Sequence, residues 1–299
     1  LQSTNDLLFN DTEATYRTNV FQGNPDLEPE QAEITNFGFS VALAEFCDNC
    51  DLNFGVDYSN YFFEDRITLL RGPRVVDADF SKFLEAYPQA DTTNVSRDDA
   101  VAWLNCCADP NIVRGGAPSY TIVQVNAYYL NAQEMDHTAI DIYANYTWHT
   151  DDYGNVRVGL EATHIDEFSY DLGGGVTGDA VGKQNLGIDV IPTLPEQRAI
   201  ATINWSRDNT NVLLRARWNK EVDAAWTSVD IDALTYLDLT YTHRIDGLTG
   251  SGSNTVLEIG GRNITDEYPT PLGAFGASIE LSIHDPRGRM FFVRAKHAF

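Results

Sequence analysis

Apolar and polar residues alternate with a period of two along most of this sequence. In "NFGFSVAL", Phe37, Phe39, Val41 and Leu43 share one face, and small or polar residues occupy the other. This alternation is typical of β-strands, because successive side chains of a strand point to opposite faces. Eight further apolar rows follow the pattern, within 52–58, 140–148, 156–162, 199–205, 212–218, 237–241, 257–259 and 291–299. The sequence therefore predicts nine strands and an all-β fold.

The two faces of the predicted strands differ in character. The polar face carries charged residues such as Arg157, Glu161 and Asp238, which either water or a wet lumen would accept. A soluble β-sandwich is therefore one alternative. Large aromatic residues lie toward the ends of the apolar rows, where a membrane β-barrel has its interfacial girdles. These are Tyr146, Trp148, Trp205, Trp218 and Tyr241. Their placement favours an antiparallel transmembrane β-barrel segment.

The predicted connections alternate between short and long. The short ones, 150–155, 206–211 and 245–254, are rich in turn residues. The long ones cover roughly 67–120, 168–196, 220–233 and 264–287. Outer-membrane barrels have this asymmetry, with tight periplasmic turns and long external loops. All long connections fall on one side only if residues 123–148 form one long strand that projects beyond the bilayer.

The longest connection contains a helix signal. Ser96 stands where an N-cap would be, and Asp99 follows three residues later in "SRDDAVAWLNCC". This arrangement resembles a capping box, in which side chains satisfy the first free amides of a helix. We expect a short helix of about two turns that packs on an external loop, with a lid as the alternative.

Composition excludes some classes of function. The chain has 44 acidic and 20 basic residues and a formal charge of −24, which argues against a nucleic-acid partner because such surfaces need clustered Lys and Arg. No apolar run is long enough for a membrane-spanning helix, whereas barrel strands remain compatible with a mean hydropathy of −0.29. The chain begins at Leu1 without a signal peptide, and we expect a mature or truncated product.

The four cysteines form two close pairs, Cys47 with Cys50 and Cys106 with Cys107. Their spacing does not match a zinc site, so we expect local disulfides and no metal, with free thiols and metal ligands as the alternatives. The strand pattern places the two pairs on opposite sides of the membrane, and the state of Cys106 and Cys107 stays open.

Motifs for catalysis are weak. Gly173, Gly175 and Gly178 have G-x-G-x-x-G spacing, but no βαβ pattern surrounds them, and Gly182-Lys183 is not followed by Ser or Thr. The six histidines form no H-E-x-x-H pair, and no G-x-S-x-G motif occurs. We expect no enzyme activity and no cofactor.

Four segments in order carry a family resemblance: "GNPDLEPEQAEITNFGFS" (23–40), "VDYSNYFFEDRI" (56–67), "GGRNITDEYP" (260–269) and "DPRGRMFFVRAKHAF" (285–299). Together they resemble the C-terminal half of TonB-dependent outer-membrane receptors, although Ile264, Thr265 and His297 depart from the usual family residues. The resemblance implies about nine strands of a 22-stranded barrel over residues 1–299. It also implies that the plug domain and the N-terminal strands are absent from this chain.

The resemblance implies an outer-membrane receptor for TonB-energised uptake of siderophore-iron, cobalamin or oligosaccharide. Its partners would be the plug, the remaining strands, the TonB complex through the missing N-terminal part, and outer-membrane lipid with lipopolysaccharide. Tyr120, Tyr170 and Trp226 are candidate ligand contacts on the external loops. Arg157, Arg198, Arg215 and Arg217 would line the lumen and pair with plug carboxylates. A passive porin and a soluble β-rich binding module are the alternatives.

The last residue, Phe299, is in register with Phe291, Val293 and Ala295. A terminal aromatic residue in the outward row resembles the signal that the barrel assembly machinery reads. We therefore expect the C-terminus to be complete and the missing part to precede Leu1.

Overall fold

The computed structural model describes residues 2–171, 177–185, 191–225, 230–272 and 279–299. Within these ranges the chain contains thirteen strands and two α-helices. The strands are β1 (Gln2–Asp6), β2 (Asp11–Gln22), β3 (Gln31–Cys47), β4 (Cys50–Leu70), β5 (Ile112–Arg114), β6 (Ile122–Thr150), β7 (Gly154–Asp171), β8 (Thr177–Asp179), β9 (Gln197–Arg207), β10 (Thr210–Asn219), β11 (Leu234–Asp246), β12 (Asn254–Arg262) and β13 (Met290–Ala298). The helices are α1 (Gly72–Ala86) and α2 (Arg97–Cys106).

Nine long strands form one sheet, in the order β3-β4-β6-β7-β9-β10-β11-β12-β13. Each of them pairs antiparallel with its neighbours. They coincide with the nine alternating rows of the sequence, so the prediction of an antiparallel barrel segment is confirmed. The sheet is not closed, and β3 and β13 form its two edges.

The connections divide the sheet into two ends. At one, the turn end, the chain reverses within a few residues, and Asn49 and Gly154 adopt left-handed conformations with φ of 66° and 81°. Such turns favour Asn and Gly because other residues adopt positive φ at a steric cost. At the other, the loop end, the connections are long and include α1 and α2.

Strand β6 is a single strand of 29 residues, as the alternation of connections predicted. It pairs with β4 as far as Tyr128, opposite Leu70, but with β7 only from Glu134 onward. Beyond β7, the segment Thr18–Gln22 of β2 pairs with it in parallel. The upper part of β6, which precedes Glu134, thus extends beyond β7 and supports structure outside the nine-stranded sheet.

A small folded unit, which we name the cap, surrounds this upper part of β6. It consists of β1, the 3-10 turn Leu7–Phe9, β2, α1, α2 and β5. One of its two apolar clusters joins the N-terminal segment to both helices, and the other joins α1 to β6. They comprise Leu8, Phe80, Phe83, Val95, Ala100 and Trp103, and Leu70, Val75, Val76, Ile112, Ile122 and Val125. The cap therefore has a core of its own.

The structure corrects the helix prediction in two respects. Helix α2 begins after Ser96 as expected, but the Ser96 side chain makes no capping hydrogen bond, so the capping box is wrong. Asp98 and Asp99 lie in the first turn instead, where their negative charge interacts favourably with the helix dipole and stabilises the helix. Helix α1 was not predicted. Pro73 opens it at a position that needs no amide hydrogen, and Val75, Val76, Phe80 and Phe83 form its buried side.

The apolar face of the nine-stranded sheet is exposed. Phe37 is 73% accessible, and Phe291 and Val293 are each 75% accessible. The face continues through Phe39, Ile142, Trp148, Val158, Leu160, Ile203, Leu239, Tyr241 and Ile259. An apolar area of this extent needs a partner other than water. Neither helix in the described ranges is long and apolar enough to cross a bilayer.

Candidate functional site

The polar face of the sheet between β7 and β13 is predominantly basic. Strand register places the four arginines singled out from the sequence on this one face, because directly opposed residues of antiparallel strands share a face. The basic set on this face is Arg157, Arg198, Arg215, Arg217, Arg244, Arg262, Arg294 and Lys296. The acidic set is Glu161, Asp238, Asp246 and Glu258. Basic side chains here outnumber acidic ones two to one, the reverse of the whole chain.

Only part of this positive charge is neutralised within the chain. Arg217 pairs with Asp238 at 3.3 Å, and Arg294 pairs with Glu258 at the same distance. Arg198, Arg215 and Arg262 make no ion pair or hydrogen bond with the part of the chain that the structure describes. These free guanidinium groups are suited to carboxylates or other anions from outside the described chain.

The polar face of β3, β4 and β6 has a different surface. Its residues are small, uncharged or acidic, such as Gly38, Asn53, Gly55 and Asp141. Tyr143 lies over Gly55, where an added Cβ would come within 2.5 Å of its ring. Basic character is therefore confined to β7–β13.

A cavity of about 830 Å³ opens on the polar face toward the loop end. Side chains of five strands line it, including Glu161, Arg198, Arg217 and Tyr236. Its remaining wall is the segment 281–287, which folds back over the strands. We name residues 279–289 the strap. The cavity volume is within the range of sites for drug-sized ligands.

A few contacts hold the strap in place. The Asn219 side-chain amide donates to the Ile283 carbonyl at 3.0 Å, and Gln184 donates to the Glu280 carboxylate at 2.5 Å. The Arg289 amide donates to Asp266 at 2.9 Å. Ile283 also packs against an apolar cluster of Val222, Ile231 and Leu272. The strap is thus tied to the loops at both ends and covers the basic strands in between.

A smaller cavity of about 180 Å³ lies on the polar face between β10 and β13. Arg215, Arg262 and Arg294 line it together with Asp238 and Glu258. The Asp238 carboxylate accepts from Arg217 and from the Asn263 amide at 2.9 Å. Because Asp238 and Glu258 already have partners, Arg215 and Arg262 are the open positions of this cluster.

The three candidate ligand contacts do not form one site in the described structure. The Tyr120 ring stacks on Phe9 at 5.6 Å inside the cap, with the Arg97 guanidinium 5.9 Å from its centre. Tyr170 pairs with Met135 and packs against the apolar cluster around it. Ile122 and Met135 are separated along β6 by roughly 40 Å. Trp226 lies outside the described residues, as do Gly173 and Gly175.

The cysteine pairs lie at opposite ends of the sheet. Cys47 and Cys50 are disulfide-bonded across the turn between β3 and β4, at the turn end. Cys106 and Cys107 are bonded to each other at the C-terminus of α2, in the cap. In the described ranges, no three His, Cys, Asp or Glu side chains are grouped to hold a metal ion.

The C-terminal residues lie on the exposed apolar face. Phe291 and Val293 point outward from β13, which ends at Ala298. Phe299 follows the strand, and its ring meets His297 edge-on at 4.5 Å. The edge strand therefore presents an outward row of apolar side chains.

Sequence reasoning missed several residues of the larger cavity. Tyr236 and the strap residues His284 and Arg287 line it. Tyr236 lies before the apolar row assigned to its strand, and the strap lies in a connection without periodicity. Its position over the strands depends on long-range contacts such as that between Asn219 and Ile283, which have no local signal.

No protein-family model and no curated protein sequence matches the chain. Among solved structures, it is similar to a variant of the ferric enterobactin receptor PfeA from Pseudomonas aeruginosa, with a TM-score of 0.53 and 13% identity over all of this chain and 34% of the receptor. The siderophore receptor PirA from Acinetobacter baumannii has a TM-score of 0.50 and 12% identity over 93% of this chain and 33% of that receptor. The chain thus spans about a third of the receptors it matches. It has the fold of part of a TonB-dependent receptor barrel.

Proposed function

We propose that residues 1–299 are the C-terminal part of the barrel of a TonB-dependent outer-membrane receptor. The plug domain and the other strands would come from the remainder of the protein. The sheet has two free edges, and its exposed apolar face fits a lipid environment. In this orientation the turn end faces the periplasm, and the loop end, with the cap and the strap, faces the outside.

The observation that carries this proposal is the reversal of charge on the polar face. A chain with 44 acidic and 20 basic residues places a basic surface on β7–β13 and leaves Arg198, Arg215 and Arg262 without partners in the described chain. An inserted plug that presents carboxylates would neutralise it. A passive porin would leave these groups to water, and in a soluble binding module the apolar face would have no partner.

Among the cargo classes, a ferric siderophore is the one that the solved neighbours favour. PfeA is a ferric enterobactin receptor, and one of its matching structures, with a TM-score of 0.52, contains enterobactin. Cobalamin and oligosaccharides remain the other cargo classes that the family resemblance allows. The outer rim of the barrel would contact lipopolysaccharide, and the last strand would be recognised by the barrel assembly machinery.

Uptake by cells tests the cargo. Cells that lack the gene should lose uptake of one ⁵⁵Fe-loaded siderophore from a panel, and expression should rise under iron starvation. Growth on complex glycans with induction there, but not under iron starvation, would instead support oligosaccharide cargo. Uptake that persists in cells without TonB would contradict an energised receptor and support the porin.

Charge reversal tests the polar face. In the whole receptor, Arg215→Glu should weaken plug retention and reduce uptake, because its side chain has no partner that already neutralises it in the described chain. Arg244→Glu is the matched control, since Arg244 already pairs with Asp246 at 2.7 Å near the turn end. Plug retention can be measured by protease protection of the plug. Equal retention and uptake in both variants would remove the proposed role of the arginines.

A further inference from the structure

His284 is the most deeply buried titratable residue of the strap. Its side chain is 5% exposed, and neither ring nitrogen has a hydrogen-bond partner among the described residues. The imidazole meets the ring of Tyr236 edge-on, with 6.4 Å between the ring centres. An imidazole that is buried without a partner is tolerable when neutral and costly when charged, because burial penalises the charged form most.

Charged groups of both signs surround His284. On the neighbouring strand, the Arg217 guanidinium lies 5.5 Å from the Tyr236 ring centre, and its Nε is itself buried without a hydrogen-bond partner in the described chain. The other groups that face the site are Glu280, Asp285 and Arg287 on the strap and Asp141, Glu161 and Arg198 on the strands. Among these groups, the Glu280 carboxylate favours the charged form of His284, so burial is what disfavours its protonation.

Two strap carboxylates keep their charge over the range in which histidine titrates. Hydrogen bonds from Arg287 lower the pKa of Asp285 to about 2. Burial opposes ionisation of Glu280, but hydrogen bonds from Ser282 and Gln184 outweigh it and lower the Glu280 pKa. Burial lowers the pKa of His284, an effect that Glu280 partly offsets. On the strap, His284 is thus the group whose charge changes between docked and free states near neutral pH.

We propose that the strap is a pH-controlled gate: it stays docked over the large cavity while His284 is neutral and is released when His284 is protonated. Release would uncover Arg198, Arg217 and Tyr236 from the loop end. The hydrogen bonds of the strap to Asn219, Gln184 and Asp266 are part-buried or exposed, so the strap can open locally without unfolding of the strands.

The direction of the pH effect follows from proton linkage. The released strap binds a proton on His284 with the ordinary pKa of about 6.5, whereas the docked strap binds it more weakly. The docking equilibrium of the strap is therefore independent of pH well above pH 6.5. Below that value, the ratio of docked to released strap falls by up to about tenfold per pH unit, until the pKa of the docked state is reached.

Cysteine labelling of the whole receptor in detergent micelles tests the gate. The four native cysteines are disulfide-bonded, so a cysteine that is introduced into this chain provides its one free thiol for labelling. Ile283→Cys reports release, because Ile283 packs against the Val222 cluster when docked. Ser282→Cys is the exposed reference on the same strap. The ratio of their maleimide labelling rates removes the ordinary effect of pH on thiol reactivity.

We expect this ratio to rise between pH 7.5 and pH 5.5, by up to about tenfold, which is the limit that the ordinary histidine pKa sets. The rise should vanish in a His284→Phe background, which keeps an aromatic ring but cannot titrate. His284→Gln provides a second background that does not titrate and packs differently. The rise should persist with His164→Phe, because His164 lies at the same end of the sheet but is partly exposed. A ratio that is flat in the native background, or that rises equally with His284→Phe, would overturn the gate.

Discussion

At the scale of a single residue, Asp79 connects the two helices of the cap. It lies on α1 with 3% exposure and accepts hydrogen bonds from the Trp103 indole at 3.1 Å and from the Asp109 amide at 2.8 Å. Burial raises the pKa of Asp79, while these two bonds oppose that rise. The carboxylate thus satisfies a buried donor, the Trp103 indole, and a partly buried one, the Asp109 amide.

Removing this acceptor should destabilise the cap. Asp79→Ala leaves the indole and the amide unsatisfied, which costs about 1–3 kcal/mol per buried group. Asp79→Asn retains one acceptor oxygen and should lose less. In the proposed receptor, proteolysis of the connection between β4 and β6 should be fastest in the Asp79→Ala variant. It should be slower in the Asp79→Asn variant and slowest in the native protein. Asp77→Ala is the control on the same helix, because the Asp77 side chain is 55% exposed. Equal proteolysis of the Asp79→Ala and Asp77→Ala variants would contradict this role.

At the scale of the element, each of the nine strands has one exposed apolar face and one polar face, which the proposed receptor would turn toward lipid and toward the lumen. On β9, Ile203 is on the exposed apolar face and Thr202 is on the polar face, opposite Arg215. Arg at the middle of a lipid-facing strand costs about 2–4 kcal/mol, and a lumenal substitution costs far less. Ile203→Arg should therefore reduce the folded, membrane-integrated fraction, as measured by heat-modifiable mobility, while Thr202→Arg should not. Comparable losses in both variants would mean that the two faces are not lipid and lumen.

The last strand permits a second test at this scale. Phe291, Val293 and Phe299 lie in the outward row of the edge strand β13. If the assembly machinery reads this row, deletion of Phe299 should lower the amount of receptor in the outer membrane. Phe292→Ala is the control, because Phe292 lies on the polar face against Gly260. Normal assembly after the deletion would argue against a recognition signal.

The elements that could be predicted from sequence are those whose pattern is local. A strand such as β9 has an apolar residue at every second position from Ala199 to Trp205, and the long β6 follows once the connections must fall on one side. The cap could not be predicted in the same way, because Leu8, Phe83 and Trp103 come together from distant parts of the chain. Helix α1 did carry a helical pattern of apolar residues, but it lies inside the connection between two predicted strands, where only the segment after Ser96 was predicted as a helix. The large cavity was missed for the same reason as the cap, since the strap covers it from a distant segment.

At the scale of the whole molecule, the number of strands restricts how the barrel closes. With nine antiparallel strands, β3 and β13 run in the same direction. Any segment that closes the barrel with antiparallel pairs at both edges must therefore contribute an odd number of strands. Two copies of this chain in the same membrane orientation would meet at parallel seams, and neither edge would find an antiparallel partner.

This leads to a prediction about the chain expressed with and without the rest of the barrel. An unpaired edge in lipid leaves backbone groups unsatisfied, each at a cost of several kcal/mol, and β3 alone is 17 residues long. The chain by itself should therefore be degraded or remain outside the membrane. Co-expression with the remaining strands as a separate polypeptide should restore a protease-resistant, heat-modifiable barrel. Ser40→Cys on β3 and Arg294→Cys on β13 can report contact between two copies by cross-linking. If the chain alone integrated stably into the membrane and these cysteines cross-linked between copies, the chain would close on itself. That result would contradict the prediction that an odd number of further strands is needed.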